Sequence, residues 1–443
     1  MSGRIAPKNE NSHATPNNES AGANPRSLIY KLSVVAASTL SRLLGTLLLF
    51  ALVARAVGPA DFGVFAYWYA IGILAAAVSD YGFGQQVLRD LAGAGLPTAR
   101  ARAIGLLVAK GWVSCMVSSV AFIFALVSTS GPQESATALL LISAAMIGSV
   151  FEYLSMVLRS RAELRTESLL AGGMSIGASL AAGWAAYTYG DVLAASVLLL
   201  CVRVLFVVVQ ARILFGSVLY VSNASRAKSS PPRTTLKRSA AFAIDNLALQ
   251  LFANLDALLI KYLVDPHSAG LYLAGARLTQ ASLAGLPVIA SIFLPMMSMV
   301  GNHAGTSKSI HKKAYLISLC AGLSILAGFV ILRSIAPTVL FGPTFGPVGE
   351  LMPLFGIYLA IRYLAAAPGM ALTSAGKQKS RAAITVLSVA FAIAYIGGVY
   401  AGGYVLELRN LCYMMIVGAA IQFAGYLVAG RGLAAQTRPI QKE

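Results

Sequence analysis

Residues 51–66, ALVARAVGPADFGVFA, lie between two long apolar runs, and residues 257–274, ALLIKYLVDPHSAGLYLA, repeat their plan. With Gly63 set on Gly270, Pro59 falls on Pro266, Val57 on Val264, Leu52 on Leu259 and Ala51 on Leu258. Each copy is an apolar run, a proline turn, a glycine, then an aromatic residue and another apolar run. A corner written twice, about half a chain apart, reads as a tandem duplication.

The composition says what surrounds these corners. Of 443 residues, 57% are hydrophobic and only 11% are charged, with a mean hydropathy of +0.74. A soluble domain carries about 25% charged residues. A chain so poor in charge cannot cover its surface in water, so its solvent is mostly lipid. About 20 apolar residues cross a bilayer as a helix. Runs of that kind occur near 32–54, 64–86, 103–128, 136–158, 168–188 and 192–215, then near 239–263, 269–300, 314–336, 347–373, 382–403 and 410–430. The expected fold is an all-α integral membrane protein. It has about twelve transmembrane helices in two six-helix bundles, 32–215 and 239–430. An even number of spans per copy gives both copies one orientation, related by a pseudo-two-fold along the membrane normal. Residues 1–31 read as a disordered cytoplasmic tail rich in Asn, Ser and Pro, too long and polar for a signal peptide. Residues 216–238, with Ser229-Ser-Pro-Pro232, read as a cytoplasmic linker, and 431–443 as a second tail.

The net charge of +18 is arranged by topology. Every second connection is basic: the N-terminal tail; Arg89, Arg100 and Arg102; Arg159, Arg161 and Arg165; the linker; Lys308, Lys312 and Lys313; Lys377, Lys379 and Arg381; and the C-terminal tail. The alternate connections and their edges hold only Arg55, Arg333 and Arg409. This is the positive-inside pattern, and it places both termini in the cytoplasm. It also removes the reason to expect nucleic acid as a partner. Cys115, Cys201, Cys320 and Cys412 stand alone in apolar runs, and the four histidines lie in tails or loops. Neither a disulfide framework nor a metal site is expected. The short outer connections leave no room for a catalytic domain there. No GxxxxGK[ST] loop is present, so no ATP site, cofactor or catalytic residue is expected.

Ionisable residues inside spans are the candidate functional groups. Arg42, Arg203, Arg277 and Arg362 fall within helices, as do Asp245, Asp256 and Glu152, with Lys110 and Lys261 nearer helix ends. Insertion scales give roughly 2.5–3.5 kcal/mol per such group, so four arginines facing lipid would cost about 10–14 kcal/mol. They must line an interior. Ser38, Arg42 and Thr46 form one stripe on the first helix. Asp245 and Asp256 are about three turns apart on the seventh, beside Asn246, Gln250 and Asn254. Two readings stand: the charges pair and hold helices together, or they line a cavity. The arginines outnumber the deep carboxylates, and their planar fork suits phosphate oxygens. Arg42, Arg277, Arg362 and Arg203 are therefore substrate-binding candidates for an anion. Asp245 and Asp256 are candidates for coupling to a proton or cation. The aromatic run Phe65, Tyr67, Trp68, Tyr69 reads as an interfacial belt.

The stretches RLLGTLLLFALVARAVGPADFGVFAYW (42–68) and SDYGFGQQVLRDLA (79–92) resemble the polysaccharide transport family, which includes Wzx-type O-antigen flippases. That family is part of the multidrug/oligosaccharidyl-lipid/polysaccharide (MOP) exporter superfamily. Gly58, Pro59, Phe62 and Gly63 match its corner motif, Asp80 its second-helix motif, and Gly270 and Tyr272 the second-half run that also places Asp256 and Arg277. Val57 and Lys261 depart from the family pattern. The resemblance implies flipping of undecaprenyl-diphosphate-linked oligosaccharide across a bacterial inner membrane for O-antigen, lipopolysaccharide or exopolysaccharide export. It would proceed by alternating access through a cationic cavity, driven by an ion gradient, with a polymerase and a chain-length regulator as pathway partners. The alternatives are a drug or cation exporter of the same superfamily, which would want an acidic cavity, and a membrane glycosyltransferase or polymerase.

The charge pattern makes a topological prediction. Reporter fusions at Pro132, Gly190 and Pro266 should report the periplasm, and fusions at Ser230 and Lys379 the cytoplasm. A cytoplasmic signal at Pro266 would contradict the two-copy plan.

Overall fold

The computed structural model describes residues 25–91, 95–220, 250–251, 253–261, 264–299, 304–402 and 407–436. The described residues form helices and short connections, without a strand. Ten stretches are long and apolar enough to cross a membrane. The first, Ala37–Asp80, has 44 residues, about twice the length one crossing needs. It belongs to helix α1, Pro25–Asp80, which kinks at Gly58 into two arms. Counted separately, its two arms make eleven such stretches among the described residues. Of the span expected near 239–263, residues 250–251 and α7, residues 253–261, are described and helical. The chain is a multi-pass membrane protein.

The first half continues with α2 (Phe83–Leu91), α3 (Leu96–Ser128), α4 (Pro132–Ser160), α5 (Leu164–Tyr189) and α6 (Val192–Ile213). The second half holds α7, α8 (Pro266–Ser282), α9 (Gly285–Met299), α10 (Ala304–Ile331), α11 (Ala336–Phe341), α12 (Met352–Ser374), α13 (Gln378–Ala401) and α14 (Leu408–Gln436). Helix α1 starts upstream of the expected first span, and α14 continues past the expected last one. On α3, Trp112, Met116, Val120, Ile123 and Val127 are exposed, Val127 by 81%. Such a face is stable only against hydrocarbon. Within the first half, α1 packs on α4 and α5, and α6 on both of those. Within the second, α12 is central, packed on α10 and α14.

The two corners solve the same turn differently. In the first, Gly58 takes φ 78°, where a side chain is strained, and Pro59 opens the second arm. In the second, Asp265 caps α8 by accepting from the Ser268 amide at 3.0 Å, and Pro266 opens the helix. That bonding holds the Asp265 carboxyl below the usual carboxylate range.

The corners then pack on each other. A methyl on Gly63 would lie 2.7 Å from the Pro266 carbonyl oxygen and 3.0 Å from the Gly270 nitrogen. A methyl on Gly270 would overlap the Pro59 carbonyl oxygen. Gly63 meets Pro266 as Gly270 meets Pro59, so the repeat is self-complementary. Around this contact α1 and α8 form the main seam between the halves. Phe62 packs edge-on against Phe345 with centroids 5.6 Å apart, beside Phe50 and Phe341. The aromatic run expected at the interface is instead core: Phe65, Tyr67, Trp68 and Tyr69 are all buried. The seam needs large apolar groups where the second arm of α1 meets the other half.

Gly270→Ala and Gly63→Ala should each lower stability by about 1–3 kcal/mol, read as thermal unfolding in detergent. Gly111→Ala on α3, where nothing lies near an added methyl, should be neutral or stabilising. Equal effects at all three positions would contradict corner-to-corner packing.

Candidate functional site

A cavity of about 480 Å³ opens among the helices of the first half, with Gln250 of the second half also lining it. Arg42, Thr46 and Leu49 line it from the first arm of α1, and Tyr69, Ile73 and Asp80 from the second. Ser149, Glu152 and Met156 of α4, Ser175 and Ser179 of α5, Arg203 of α6 and Gln250 complete it. It runs from Tyr69 and Leu199 near the middle of the bundle to Gly82 and Gly84, at the end opposite the corners.

Two stripes spaced by four residues meet beside it, and Arg42, Thr46, Ser175 and Ser179 of them line it. Ser38, Arg42 and Thr46 face Glu167, Ala171, Ser175 and Ser179 of α5. Ser179 donates to the Gly45 carbonyl at 2.6 Å and Ser175 to the Arg42 carbonyl at 3.1 Å. Hydroxyls on backbone carbonyls, with a glycine at the approach, are a compact way to join helices in lipid. At the head of the stripe, Arg42 bridges Glu152 and Glu167, the latter at 2.5 Å. The Glu167 side chain is fully buried and also accepts from Arg159 at 2.9 Å and Ser38 at 3.1 Å. The Glu152 side chain is 41% exposed to the cavity.

Lys110 is buried rather than near an end where it would reach headgroups. Its ammonium donates to Asp80 at 3.0 Å and to Ser149 at 2.7 Å. Asp80, singled out by its motif, is thereby a counter-ion on the cavity wall. Arg203 donates to the Ala144 carbonyl at 2.8 Å and the Tyr69 hydroxyl at 2.9 Å, above the Tyr69 ring.

The other candidates lie elsewhere. Arg277 is buried in the seam between the halves and does not line the cavity. It donates to the Ala66 carbonyl at 3.0 Å and to Gln280 at 2.7 Å, with its guanidinium 4.4 Å from the Phe50 ring centroid. Apart from the nearby Gln280, its partners are a carbonyl and an aromatic face more than two hundred residues away, which a search for carboxylates does not find. Arg362 joins Gln422, which continues to Thr385 and Tyr426, a polar seam among α12, α13 and α14. Asp256 is buried in the second half, where its carboxylate accepts from the Tyr272 hydroxyl at 3.0 Å and the Ala257 amide. A cavity of about 20 Å³ beside it has room for one water. Asp245 and Asn246 lie outside the described residues.

At the corner end, Lys261 of α7 reaches across to the first half. It pairs with Glu134 at 2.5 Å and with the Ser128 carbonyl at 2.9 Å, over the rings of Trp68 and Tyr67. Arg55 answers from the first half with a 3.0 Å bond to the Leu340 carbonyl. Gln250, expected beside Asp245 and Asp256, instead lines the first-half cavity, and Glu134 and Glu167 are functional groups that sequence reasoning misses. Glu167 sits inside a basic loop sequence, but its spacing to Ser175 and Ser179 is a legible signal.

The two halves meet along α1 and α8, and the cavity opens among the helices beside that seam. This fold is similar to the inward-facing conformation of a multidrug resistance MATE family transporter of the MOP superfamily, with TM-score 0.74 and 14% identity over 92% of this chain and 100% of that one. It resembles the outward-facing conformation of such a transporter at TM-score 0.61 and 15% identity, covering 93% and 96% of the two chains. The eukaryotic MATE transporter AtDTX14 gives 0.61 and 15%, covering 93% and 99%. No curated protein matches significantly. The profile described as "Polysaccharide biosynthesis protein" matches residues 31–300, more than half of the chain, and the chain belongs to that family.

The unequal burial of the two glutamates predicts unequal stability effects. Glu167→Gln removes the carboxylate that two guanidiniums share and should cost about 3–5 kcal/mol. Glu152→Gln should cost no more than about 1 kcal/mol. Thermal unfolding of the two variants in detergent checks the order, and the reverse order would contradict it.

Proposed function

We propose that the chain moves a lipid-linked oligosaccharide, joined to its polyprenyl carrier by a diphosphate, from the cytoplasmic to the outer leaflet of a bacterial inner membrane. The observation that carries this reading is the pair of guanidiniums, Arg42 and Arg203, that line one cavity with the hydroxyls of Thr46, Ser149, Ser175, Ser179 and Tyr69. Guanidinium forks suit phosphate oxygens, and hydroxyls suit sugars. About 480 Å³ is room for a diphosphate and its first sugar, while the prenyl tail stays in lipid. Membership of a polysaccharide biosynthesis family supports the same cargo.

The mechanism is alternating access, with this conformation the loading state. The corner end is closed by the Gly63–Gly270 contact, the Lys261–Glu134 pair and Arg55. The cavity runs toward the opposite end, the cytoplasmic one by the charge pattern. The higher similarity to the inward-facing MATE structure than to the outward-facing one supports this assignment. Release needs the corner-end contacts to part. Asp256, buried beside Tyr272 and a water-sized cavity, is the proposed coupling carboxylate, since a proton or cation there would alter the charge beside the Arg277 seam.

A second reading, export of a cation, draws on Asp80 and Glu152, which balance the two arginines on the cavity wall. The two readings part in one assay. Vesicles holding the purified chain are given a prenyl-diphosphate-linked oligosaccharide, and its translocation is measured with and without an imposed ion gradient. Arg203→Gln and Arg42→Gln should slow it roughly ten- to hundredfold, the worth of a charge-assisted bond to phosphate, with lysine restoring part. Asp256→Asn should abolish the response to the gradient. Parental rates in both Gln variants, at normal protein levels, would rule out the anionic cargo.

A further inference from the structure

The charge balance of the cavity is itself informative. Arg42 holds two carboxylates, and they differ in every respect that governs exchange. Glu167 is fully buried and has three donors: Arg42, Arg159 and Ser38. It is a fixed part of the α1–α5 wall. Glu152 sits on the cavity face of α4, its side chain 41% exposed, paired with Arg42. Ser149 and Met156, one turn before and after it, line the same space, so the side chain has room to swing. Lys110 lies within electrostatic reach of it, a second cation for a displaced carboxylate.

We infer that Glu152 is an exchangeable counter-ion, holding on Arg42 the place that a phosphate oxygen of the cargo takes and turning away as the anion enters. The inference rests on the reading of the cavity as an anion site. It explains why that site is close to neutral when empty. An unpaired guanidinium inside a membrane is costly, so a resident carboxylate stabilises the empty carrier. The same carboxylate sets a threshold. An anion must outcompete it, which a doubly charged diphosphate with several oxygens does better than a single carboxylate. A cation gives Glu152 no reason to leave. Glu152 thus tunes affinity and selectivity and is a positioning residue for Arg42.

The test is binding by the full chain in nanodiscs of zwitterionic lipid, using a short-prenyl diphospho-sugar and calorimetry. Glu152→Gln should bind roughly three- to tenfold tighter than the parent, because a competing half-buried pair is gone. Glu152→Asp, with a shorter reach to Arg42, should fall between the two, and it keeps the test open if the Gln variant misfolds. Arg42→Gln should bind at least about tenfold weaker. If neither Glu152 variant binds tighter while Arg42→Gln binds weaker, the anion site stands and the counter-ion role fails. If Arg42→Gln binds as well as the parent, the anion reading fails and takes the counter-ion with it. A last arm uses anionic phospholipid in the nanodiscs. Complete loss of probe binding there would assign the place on Arg42 to lipid headgroups instead of a diphosphate.

Discussion

The two glycine corners must touch, and most of the molecule follows from that. A side chain at Gly63 or Gly270 would separate the Pro59 and Pro266 turns. Because each corner meets its own copy, one contact serves both halves, as an isologous interface does between subunits. It places α1 beside α8, brings the Phe62–Phe345 aromatic cluster together, and sets the Arg277 guanidinium against the Ala66 carbonyl and the Phe50 ring. With no hydrophobic force between helices in lipid, close packing and internal polar bonds do the work that burial does in water.

Charge within the membrane is the second constraint, and the two halves meet it differently. In the first half, Arg42, Arg159, Lys110 and Arg203 are answered by Glu152, Glu167, Asp80 and the Tyr69 hydroxyl around an open space. In the second, Arg277, Arg362 and Asp256 are answered by carbonyl, amide and phenol groups with little room beside them. The first arrangement borders a cavity of about 480 Å³, and the second has only water-sized room, about 20 Å³, beside Asp256.

Local patterns were legible in the sequence. The spans, the doubled corner and the Ser38–Arg42–Thr46 stripe each depend on residues a few turns apart, and periodicity reads those directly. The convergence of Arg42, Glu152 and Glu167 joins helices more than a hundred residues apart, and no spacing encodes it. The arginines looked unpaired because their partners include carbonyls, hydroxyls and ring faces, which a count of carboxylates omits. Lys110 and the aromatic run 65–69 were misplaced for a related reason. Both are amphipathic groups whose usual home is the interface, and packing across a seam overrode that preference.

The central claim is that the closed corner end is one of two states the carrier must visit. Joining it covalently tests this most directly. In a chain with its four native cysteines replaced, Glu134→Cys and Lys261→Cys are introduced together and bridged with a short bifunctional thiol reagent that a reductant cleaves. Translocation of the lipid-linked oligosaccharide should stop when the bridge forms and resume when it is cleaved, and each single-cysteine variant should be insensitive to the reagent. Transport at the unbridged rate with the bridge fully formed would contradict the account.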